Sequence, residues 1–381
     1  MTRPLICHLL ESDAENWPSQ HAVAQLVDGD TSTFEHQVVL LGHGRPVFRL
    51  PSERRLPGGV TPVRARAAAL RRILRRPPTL IHAWSTSALS IAHRALPRTA
   101  RMLSVTRPPS GTAASRSTDA RVLQRCPRSV TVFSSTAMEE RWMDVVRQRK
   151  RVVSLPVTAP NPDARAQLRA MWGVDGNTIV VVAIGEPSRN INAHSLVYAG
   201  GVQAVAGRPI VSVIPPEARD LERGLRFTER HHGLWRAIVH DAPTPAVLPG
   251  ADLAIWKDDP ACDFGAATRR AHLGLESLAW AAAFRVPIVA EDRTGVREMV
   301  GDDGAVFVGA RSTLAMNRGI AAALSPEDQR ARRVAAAAGH VERRLDVVGF
   351  IRDMESLQAE VLGLPTDHAS GHALAGSIET S

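Results

Sequence analysis

One stretch of the sequence, HLGLESLAWAAAFRVPIVAEDRTGVREMV over residues 272–300, combines two acidic side chains with the pattern of a helix, a strand, a turn and a second helix. The first acidic residue, Glu276, lies near the start of the predicted first helix. A carboxylate at this place can accept hydrogen bonds from two neighbouring hydroxyl groups, such as those of a ribose. It can equally be an ordinary first-turn glutamate that complements the helix dipole. The surrounding pattern favours the hydroxyl-binding role.

The turn DRTG follows the predicted strand and leads into the second helix. Backbone N–H groups at the start of a helix are suited to an anion, such as a diphosphate, or to a sugar hydroxyl. Gly295 would let a bound group approach the backbone closely. We therefore predict that Thr294, Gly295 and Val296 contact a ligand of this kind, with a plain turn as the alternative.

Short apolar segments alternate with segments rich in Ala, Leu and Arg along the whole chain. The first half contains predicted strands at residues 4–10, 36–42, 79–84, 101–106, 129–135 and 151–157. The second half contains predicted strands at residues 177–185, 208–214, 237–241, 251–256, 286–290 and 305–309. Strands that alternate with helices indicate parallel sheets covered on both faces. Open sheets of this kind bind ligands beyond the carboxyl ends of their strands.

The segment PVTAPNPDA (156–164) interrupts this alternation, with three prolines in nine residues, and is predicted to be a linker. The fold class is therefore α/β, with two doubly wound, Rossmann-like domains that face a central cleft. We assign residues 1–157 to the first domain and residues 158–346 to the second. A terminal helix is predicted over residues 347–363, and the small, polar residues 364–381 are expected to form a disordered tail.

Length and composition agree with two domains, because 381 residues exceed one ordinary core and a hydrophobic content of 44% can fill two. The three cysteines are too widely separated for a disulfide framework or a CxxC metal motif, which favours a reduced, cytoplasmic protein. No stretch of about 18 uncharged apolar residues occurs, so we expect no membrane span. The short apolar run near the N-terminus is predicted to be a first strand and not a signal peptide.

The net charge of +9 comes almost entirely from arginine, as is also typical of GC-rich coding sequences. Two basic clusters occur, RARAAALRRILRRPP (64–78) and RWMDVVRQRKRVV (141–153). Such faces are commonly solvated, but they can also hold the headgroups of anionic lipids. Aromatic residues make up only 4% of the chain and do not alternate with the arginines, so no nucleic-acid partner is expected.

The segment GLESLAWAAAFRVPIVAEDRTGVREMVGDDGAVFV (274–308) resembles the donor-binding signature of retaining glycosyltransferases of the GT4 group. In that signature a glutamate-led helix, a G-x-P-V-V-A strand, a D-x-G-G-x-x-E turn and an x-G-D-x-G hairpin follow in this order. Less specific similarities to other segments of the group occur at residues 178–199, 251–256, 79–96 and 130–142. Together these segments extend the resemblance over most of residues 1–362.

The resemblance implies a GT-B fold and a nucleotide diphosphate sugar as the donor substrate, with no metal ion and no other cofactor. It implies that Glu276 holds the ribose. The group holds the diphosphate with an arginine and a lysine; here Glu186 stands at the arginine position, and Arg189 best matches the lysine. A guanidinium can bind a diphosphate bidentately, so Arg189 is a predicted donor ligand. Arg269 and Arg270 could supply the missing charge.

The sequence departs from the group's pattern at three further places. The group has another glutamate eight residues before the first, where this chain has Thr268; a gapped alignment places Asp263 beside that position as a substitute. A histidine often follows the fourth strand in the group, where this chain has Thr106 and Arg107. The glycine-rich loop after the first strand is replaced by ESDAENWPSQ (11–20).

Three residues of the first half are candidates for the acceptor side. Trp17 can stack on an acceptor sugar or cap the first helix. Arg107 begins the Pro-, Ser- and Gly-rich segment 107–120, which is predicted to be a mobile loop at the carboxyl end of a strand. His82 lies in a predicted strand, where a structural role is favoured over contact with the acceptor.

We predict a cytoplasmic glycosyltransferase that moves a sugar from a nucleotide diphosphate sugar to an acceptor, either a glycan or a lipid-linked molecule. The alternative is a catalytically inactive GT-B-fold protein with a binding or scaffolding role, which Thr268, Glu186 and the missing histidine favour. A GT-B nucleotide-sugar epimerase is a third option. A weak contact with the anionic inner face of the membrane is compatible with the basic clusters.

Overall fold

The computed structural model describes residues 3–13, 16–29, 33–44, 46–50, 54–56, 61–74, 76–106, 113–158, 161, 163–185, 191–231, 235–257, 275–309, 313–324 and 326–365. Within these ranges the strands form two separate parallel sheets, one in each half of the chain. Parallel strands need a crossover connection, which is usually a helix, and helices separate most of the strands here. The predicted α/β architecture with two doubly wound sheets is confirmed.

Seven described strands form the first sheet, in the order β3-β2-β1-β4-β5-β6-β7. They are β1 (Leu5–Glu11), β2 (Glu35–Leu41), β3 (Arg54–Leu56), β4 (Leu80–Ala83), β5 (Ala100–Val105), β6 (Val130–Phe133) and β7 (Lys150–Val152). The first six residues of β1 are all buried, as expected for a strand that helices cover on both faces. The strand order reverses between β1 and β4, so a crevice for a ligand is expected at their carboxyl ends.

The described helices of the first half are α1 (Trp17–Asp28), α2 (Val63–Ile73), α3 (Thr86–Ala95), α4 (Ala113–Arg125) and α5 (Thr136–Trp142). Serine caps begin two of them, directly after a strand. The Ser85 hydroxyl accepts the N–H of Ala88, and the Ser135 hydroxyl accepts the N–H of Met138, both at 3.1 Å. Such a cap satisfies a backbone donor that has no partner inside the helix. These serines therefore place the start of α3 and of α5 at the carboxyl edge of the sheet.

Six described strands form the second sheet, in the order β10-β9-β8-β11-β12-β13. They are β8 (Ile179–Ile184), β9 (Ile210–Ile214), β10 (Arg236–Val239), β11 (Leu253–Trp256), β12 (Ile288–Glu291) and β13 (Val306–Val308). The described helices of this half are α6 (Ala164–Met171), α7 (Ala193–Val205), α8 (Leu221–Arg230), α9 (Thr244–Val247), α10 (Leu275–Ala283), α11 (Thr294–Val300), α12 (Thr313–Ala323) and α13 (Glu327–Arg344).

The terminal helix α14 (Val347–Leu362) leaves the second half and packs on the first sheet. Its residues Phe350, Met354 and Leu357 are buried in the same cluster as apolar side chains of β1, β2 and β5. Burial of each such side chain stabilises the fold by about 1.5–3 kcal/mol. Asp346 caps the helix by accepting the N–H of Gly349 at 2.6 Å. The helix therefore packs the end of the described chain against the first sheet.

All twelve predicted strands are present, and the structure adds β3, which has no apolar run in its sequence RRL. The last predicted strand of the first half is shorter than expected, because only residues 150–152 pair in the sheet. The prediction of a mobile loop over residues 107–120 is wrong for residues 113–120, which belong to α4. The prolines and the glycine of that segment all lie in residues 107–112, so the part that follows is free to form a helix.

Candidate functional site

A buried hydrogen bond joins the two halves at the carboxyl edges of their sheets. Glu276 is the second residue of α10 and is 5% exposed. Its Oε1 atom accepts a hydrogen bond of 2.8 Å from the hydroxyl of Ser134, which directly follows β6. A hydrogen bond to a charged group in a buried place is stronger than one at the surface. The Glu276 carboxylate therefore faces the first half of the chain.

A second carboxylate of the same segment also reaches the first half. Glu298 in α11 accepts the backbone N–H of Thr136 at 2.9 Å and that of Ala137 at 3.2 Å. These are the first two residues of α5, and an acidic group at a helix start is stabilised by the helix dipole. Residues 134–137 are therefore held by two glutamates of the second half.

An aromatic cluster lies beside Glu276, one turn further along α10. The ring of Trp280 meets Trp17 edge-on at a centroid distance of 5.5 Å, and it meets His21 edge-on at 4.8 Å. Phe48 packs against both His21 and Trp280. Edge-to-face pairs of this kind add stability beyond the burial of area. The start of α1 and the middle of α10 thus form an apolar contact between the halves.

A small cavity opens within this contact. Trp17, His21, Pro156, Glu276 and Trp280 are among its lining residues. Burial lowers the pKa of His21 to about 4, although a hydrogen bond with the backbone of Pro156 opposes the shift. The imidazole is consequently neutral at neutral pH, and Glu276 is the acidic residue among those that line this cavity.

Two further cavities lie at the carboxyl edge of the second sheet. One is mostly apolar and has Asn192, Ser195 and Lys257 as its polar lining residues. Asn192 caps α7 by accepting the N–H of Ser195 at 2.8 Å. The other is lined by Gly185 and His240 among others. Gly185 has a φ angle of +136°, which residues other than glycine rarely adopt, so this position needs glycine.

A polar cluster occupies the carboxyl end of β1 in the first sheet. The carboxylate of Glu11 accepts hydrogen bonds from the Ser85 hydroxyl at 3.0 Å and from the Asn16 side-chain amide at 3.1 Å. The side-chain amide of Gln20 donates to the backbone carbonyl of Glu11 at 3.2 Å. Sequence reasoning did not single out Glu11, Ser85 or Ser134. The signal that could have found them is their shared position just beyond a strand's carboxyl end.

Comparison with known proteins gives strong matches in three-dimensional structure. Neither a protein-family model nor a curated protein sequence matches the chain. The Anabaena protein HepE in complex with UDP and glucose is similar with a TM-score of 0.68 and 15% identity, over 93% of this chain and 99% of that chain. A sucrose-phosphate synthase from Thermosynechococcus elongatus matches with a TM-score of 0.67 and 12% identity, over 95% and 100% of the two chains. A UDP-forming α,α-trehalose-phosphate synthase from Burkholderia vietnamiensis matches with a TM-score of 0.63 and 12% identity, over 95% and 100%.

The chain has the GT-B fold. The similarity extends over nearly the whole length of this chain and of the similar structures. It therefore includes both sheets and the segment between them. The carboxyl edges that meet at Ser134 and Glu276 are therefore the two walls of the GT-B cleft.

Within the GT-B cleft, the structure corrects part of the prediction for residues 294–296. These residues form the first turn of α11, as expected for the start of a helix. The N–H of Val296, however, donates to the carbonyl of Arg293 at 3.0 Å, and its side chain is fully buried in the core. Val296 therefore has neither a free N–H nor an exposed side chain to offer a ligand.

The acceptor role considered for His82 is also corrected. His82 is completely buried in β4, its Nε2 atom lies 2.7 Å from the Ser104 hydroxyl, and its ring stacks on Trp84. Gln358 of α14 covers its other nitrogen at 3.5 Å. Burial lowers the pKa of His82 to about 3, so the ring is neutral and structural.

The remaining candidates divide into described and undescribed residues. Trp17 is 1% exposed and packs on Trp280, so its ring is buried in the contact between the halves. Thr106 forms a hydrogen bond of 3.0 Å with Ser19, where the GT4 group often has a histidine. The predicted ligands Arg189, Asp263 and Arg107 lie outside the described residues.

The described residues contain no group of three or more His, Cys, Asp or Glu side chains arranged to hold a metal ion. None of the described helices combines the length and the apolar character that a bilayer span requires.

Proposed function

We propose that this chain is a glycosyltransferase that transfers a sugar from a nucleotide diphosphate sugar to an acceptor held in the GT-B cleft. The observation that carries the proposal is the buried carboxylate of Glu276 at the wall of the cleft, on the helix that resembles the donor-binding helix of the GT4 group. Carboxylate oxygens at such a wall can accept hydrogen bonds from the hydroxyl groups of a bound ribose.

A uridine nucleotide is the first donor to test. HepE was crystallised with UDP and glucose, and the similar trehalose-phosphate synthase is described as UDP-forming. These are properties of those proteins, and they support the choice of UDP-sugars for this chain. Membership of the GT4 group and retention of configuration are part of the same proposal, because the segment 274–308 carries the resemblance.

In the proposed mechanism the protein stabilises charge on the departing diphosphate. The transition state of sugar transfer resembles an oxocarbenium ion with a leaving group that becomes more negative, and preorganised donors lower its energy. We assign this role to Arg189, with Arg269 and Arg270 as further sources of positive charge. Glu276 holds the ribose and so places the reacting carbon in the cleft.

The start of α11 and Asp263 complete the proposed donor site. Thr294 and Gly295 at the start of this helix are part of the proposal, and Val296 is left out of it because its N–H donates to Arg293. Asp263 replaces the carboxylate that is missing at Thr268. The acceptor, a glycan or a lipid-linked molecule, enters from the side of the first sheet near residues 11–20 and Arg107.

The test is turnover of UDP-sugars by the pure full-length protein, followed as release of UDP with and without pools of glycan and lipid-linked acceptors. Saturable release that is lost in E276A and kept in E222A would support the proposal. Glu222 is the matched control because its side chain is 85% exposed and pairs with Arg226 on the same helix. Binding of a nucleotide sugar without release under every condition would instead assign an inactive GT-B-fold binding protein.

A further inference from the structure

The positive charge of the chain is concentrated in one segment. Residues 61–153 contain 19 Lys and Arg but only 4 Asp and Glu, a net charge of +15. The rest of the chain contains 28 basic and 34 acidic residues, a net charge of −6. A coding bias toward arginine acts on the whole sequence and does not explain this contrast. The segment therefore needs a physical explanation of its own.

The fold brings much of this charge to one edge of the first sheet. In a parallel sheet all strands begin at the same edge, and the helices that precede them end there. The ends of α2, α3, α4 and α5 therefore lie side by side, just before β4, β5, β6 and β7. Seven exposed arginines occupy these four places, and we call them the cationic edge: Arg71, Arg72, Arg94, Arg98, Arg125, Arg128 and Arg147.

Contacts between neighbouring connections make the cationic edge continuous. Arg71 at the end of α2 donates to the carbonyls of Arg94 and Ala95 at the end of α3, at 2.6 and 2.7 Å. Gln148, next to Arg147, donates to the carbonyl of Leu123 near the end of α4 at 2.6 Å. The edge thus runs across four strands, which at the usual strand spacing is about 15 Å.

The arginines of the cationic edge are not neutralised by acidic side chains of the described residues. None of the seven makes an ion pair with an acidic residue in the described part of the chain, whereas flanking basic residues do, as in Arg76 with Glu35 and Arg151 with Glu360. In the second half, Arg169 near the end of α6 does pair with an acidic residue, Asp252, at 2.8 Å. The positive potential of the edge is therefore open to solvent.

Helix dipoles account for part of this arrangement. A basic residue in the last turn of a helix is stabilised by the partial negative charge there. That effect explains Arg71, Arg94 and Arg125, which lie at or near the ends of α2, α3 and α4. It falls off within one turn and does not explain Arg98, Arg128 and Arg147, which lie in the connections beyond the helices.

We propose that the cationic edge docks on the surface of an anionic lipid bilayer. A row of guanidinium groups that have no carboxylate partner among the described residues is complementary to a sheet of phosphate headgroups. An exposed apolar side chain, Met143 with 58% exposure, lies at the end of the row, between α5 and β7, and can enter the interfacial layer. The GT-B cleft is at the opposite edge of the same sheet, so docking leaves its mouth uncovered.

A lipid surface fits the edge better than a nucleic acid does. Binding of single strands uses exposed aromatic rings on which bases stack. Trp142, the last residue of α5, is an aromatic residue near the edge, and it is buried.

The test is co-sedimentation of the full-length protein with vesicles of phosphatidylcholine and phosphatidylglycerol in equal parts, against vesicles of phosphatidylcholine alone. We expect binding to the anionic vesicles only, and weaker binding as NaCl is added, because salt screens exposed charges. The triple variant R72Q/R98Q/R128Q should lower the partition coefficient roughly hundredfold, since each basic residue near an anionic surface contributes several-fold.

The matched control is R223Q/R230Q/R318Q, which removes the same charge from exposed arginines of the second half. It should bind the anionic vesicles nearly as well as the unmodified protein. Equal loss in both triple variants would show that net charge, and not the cationic edge, causes binding, and would overturn the proposal. Absence of vesicle binding, or tight binding to single-stranded RNA that the vesicles do not compete for, would overturn it as well.

Discussion

The hydroxyl of Ser134 and the carboxylate of Glu276 are hydrogen-bonded at 2.8 Å although they are 142 positions apart in the chain. One stands at the carboxyl end of β6 and the other in the first turn of α10. Both are buried. A ribose bound to Glu276 would either share this carboxylate with the Ser134 hydroxyl or displace that hydroxyl from it. On the proposed function, the contact therefore links donor binding to the relative position of the two halves.

The substitution E276A should raise the dissociation constant of the donor nucleotide at least tenfold. It removes hydrogen bonds between ribose hydroxyls and a charged acceptor, each of which contributes about 1.5–3 kcal/mol. Titration calorimetry with UDP would measure the effect. E222A, at an exposed site, should keep the affinity of the unmodified protein. Unchanged affinity in E276A would exclude the role in ribose binding.

The pair Ser134 and Glu276 should also show thermodynamic coupling in the free protein. Removing the hydroxyl in S134A leaves a buried carboxylate with one donor fewer, which costs about 1–3 kcal/mol of unfolding free energy. In a double-mutant cycle with E276Q, urea unfolding should give an interaction energy of at least about 0.5 kcal/mol. Strictly additive effects of the two substitutions would mean that the bond does not stabilise the contact.

Buried histidines predict a loss of stability in acid. Burial lowers the pKa of His82 from 6.5 to about 3 and that of His36 to about 4. In acid these histidines bind protons in the unfolded chain but stay neutral in the folded chain. The unfolding free energy therefore falls as the pH drops below 6.5 toward 4. The urea midpoint should follow this course, and H82N should flatten it. A urea midpoint that falls with pH as steeply in H82N as in the unmodified protein would contradict this role of His82.

A packing test concerns Gly250, which ends a short 3-10 turn before β11. A Cβ atom at this position would overlap the ring of Trp172, which packs against the second sheet. G250A should therefore destabilise the protein by about 1–3 kcal/mol, as measured by urea unfolding. The control G176A has nothing within 4 Å of the new methyl group and should be neutral or slightly stabilising. Equal stability of both variants would show that the Trp172 ring can move aside without a measurable loss of unfolding free energy.

The strands were predictable because helices bury them on both faces, which requires continuous runs of Val, Ile and Leu such as IVVVAI in β8. The strand β3, with the sequence RRL, offers no such run and was missed. Helix α4 was partly missed because Ser and Thr, which are common in loops, are also tolerated inside helices.

Only those residues of the candidate site that lie in one local segment were predictable from the sequence. The pattern around Glu276 pointed to a functional carboxylate, and its helix α10 begins beside it as expected. The partner Ser134 was not predictable, because the bond depends on how two separately folded sheets meet. The contact that covers His82 was also not predictable, because it depends on α14 at the far end of the chain. Gln358 of that helix lies beside the second ring nitrogen of His82.

The most direct test of the account is the thermal stability of the purified protein with UDP-, GDP-, ADP- and TDP-sugars. A ligand that binds the native state stabilises it by about 2.7 kcal/mol at a hundredfold excess over its dissociation constant. The account predicts a clear rise of Tm with a nucleotide sugar, greatest for a UDP-sugar, and no such rise in E276A. A well-folded protein whose Tm none of these donors changes would contradict the proposed donor site.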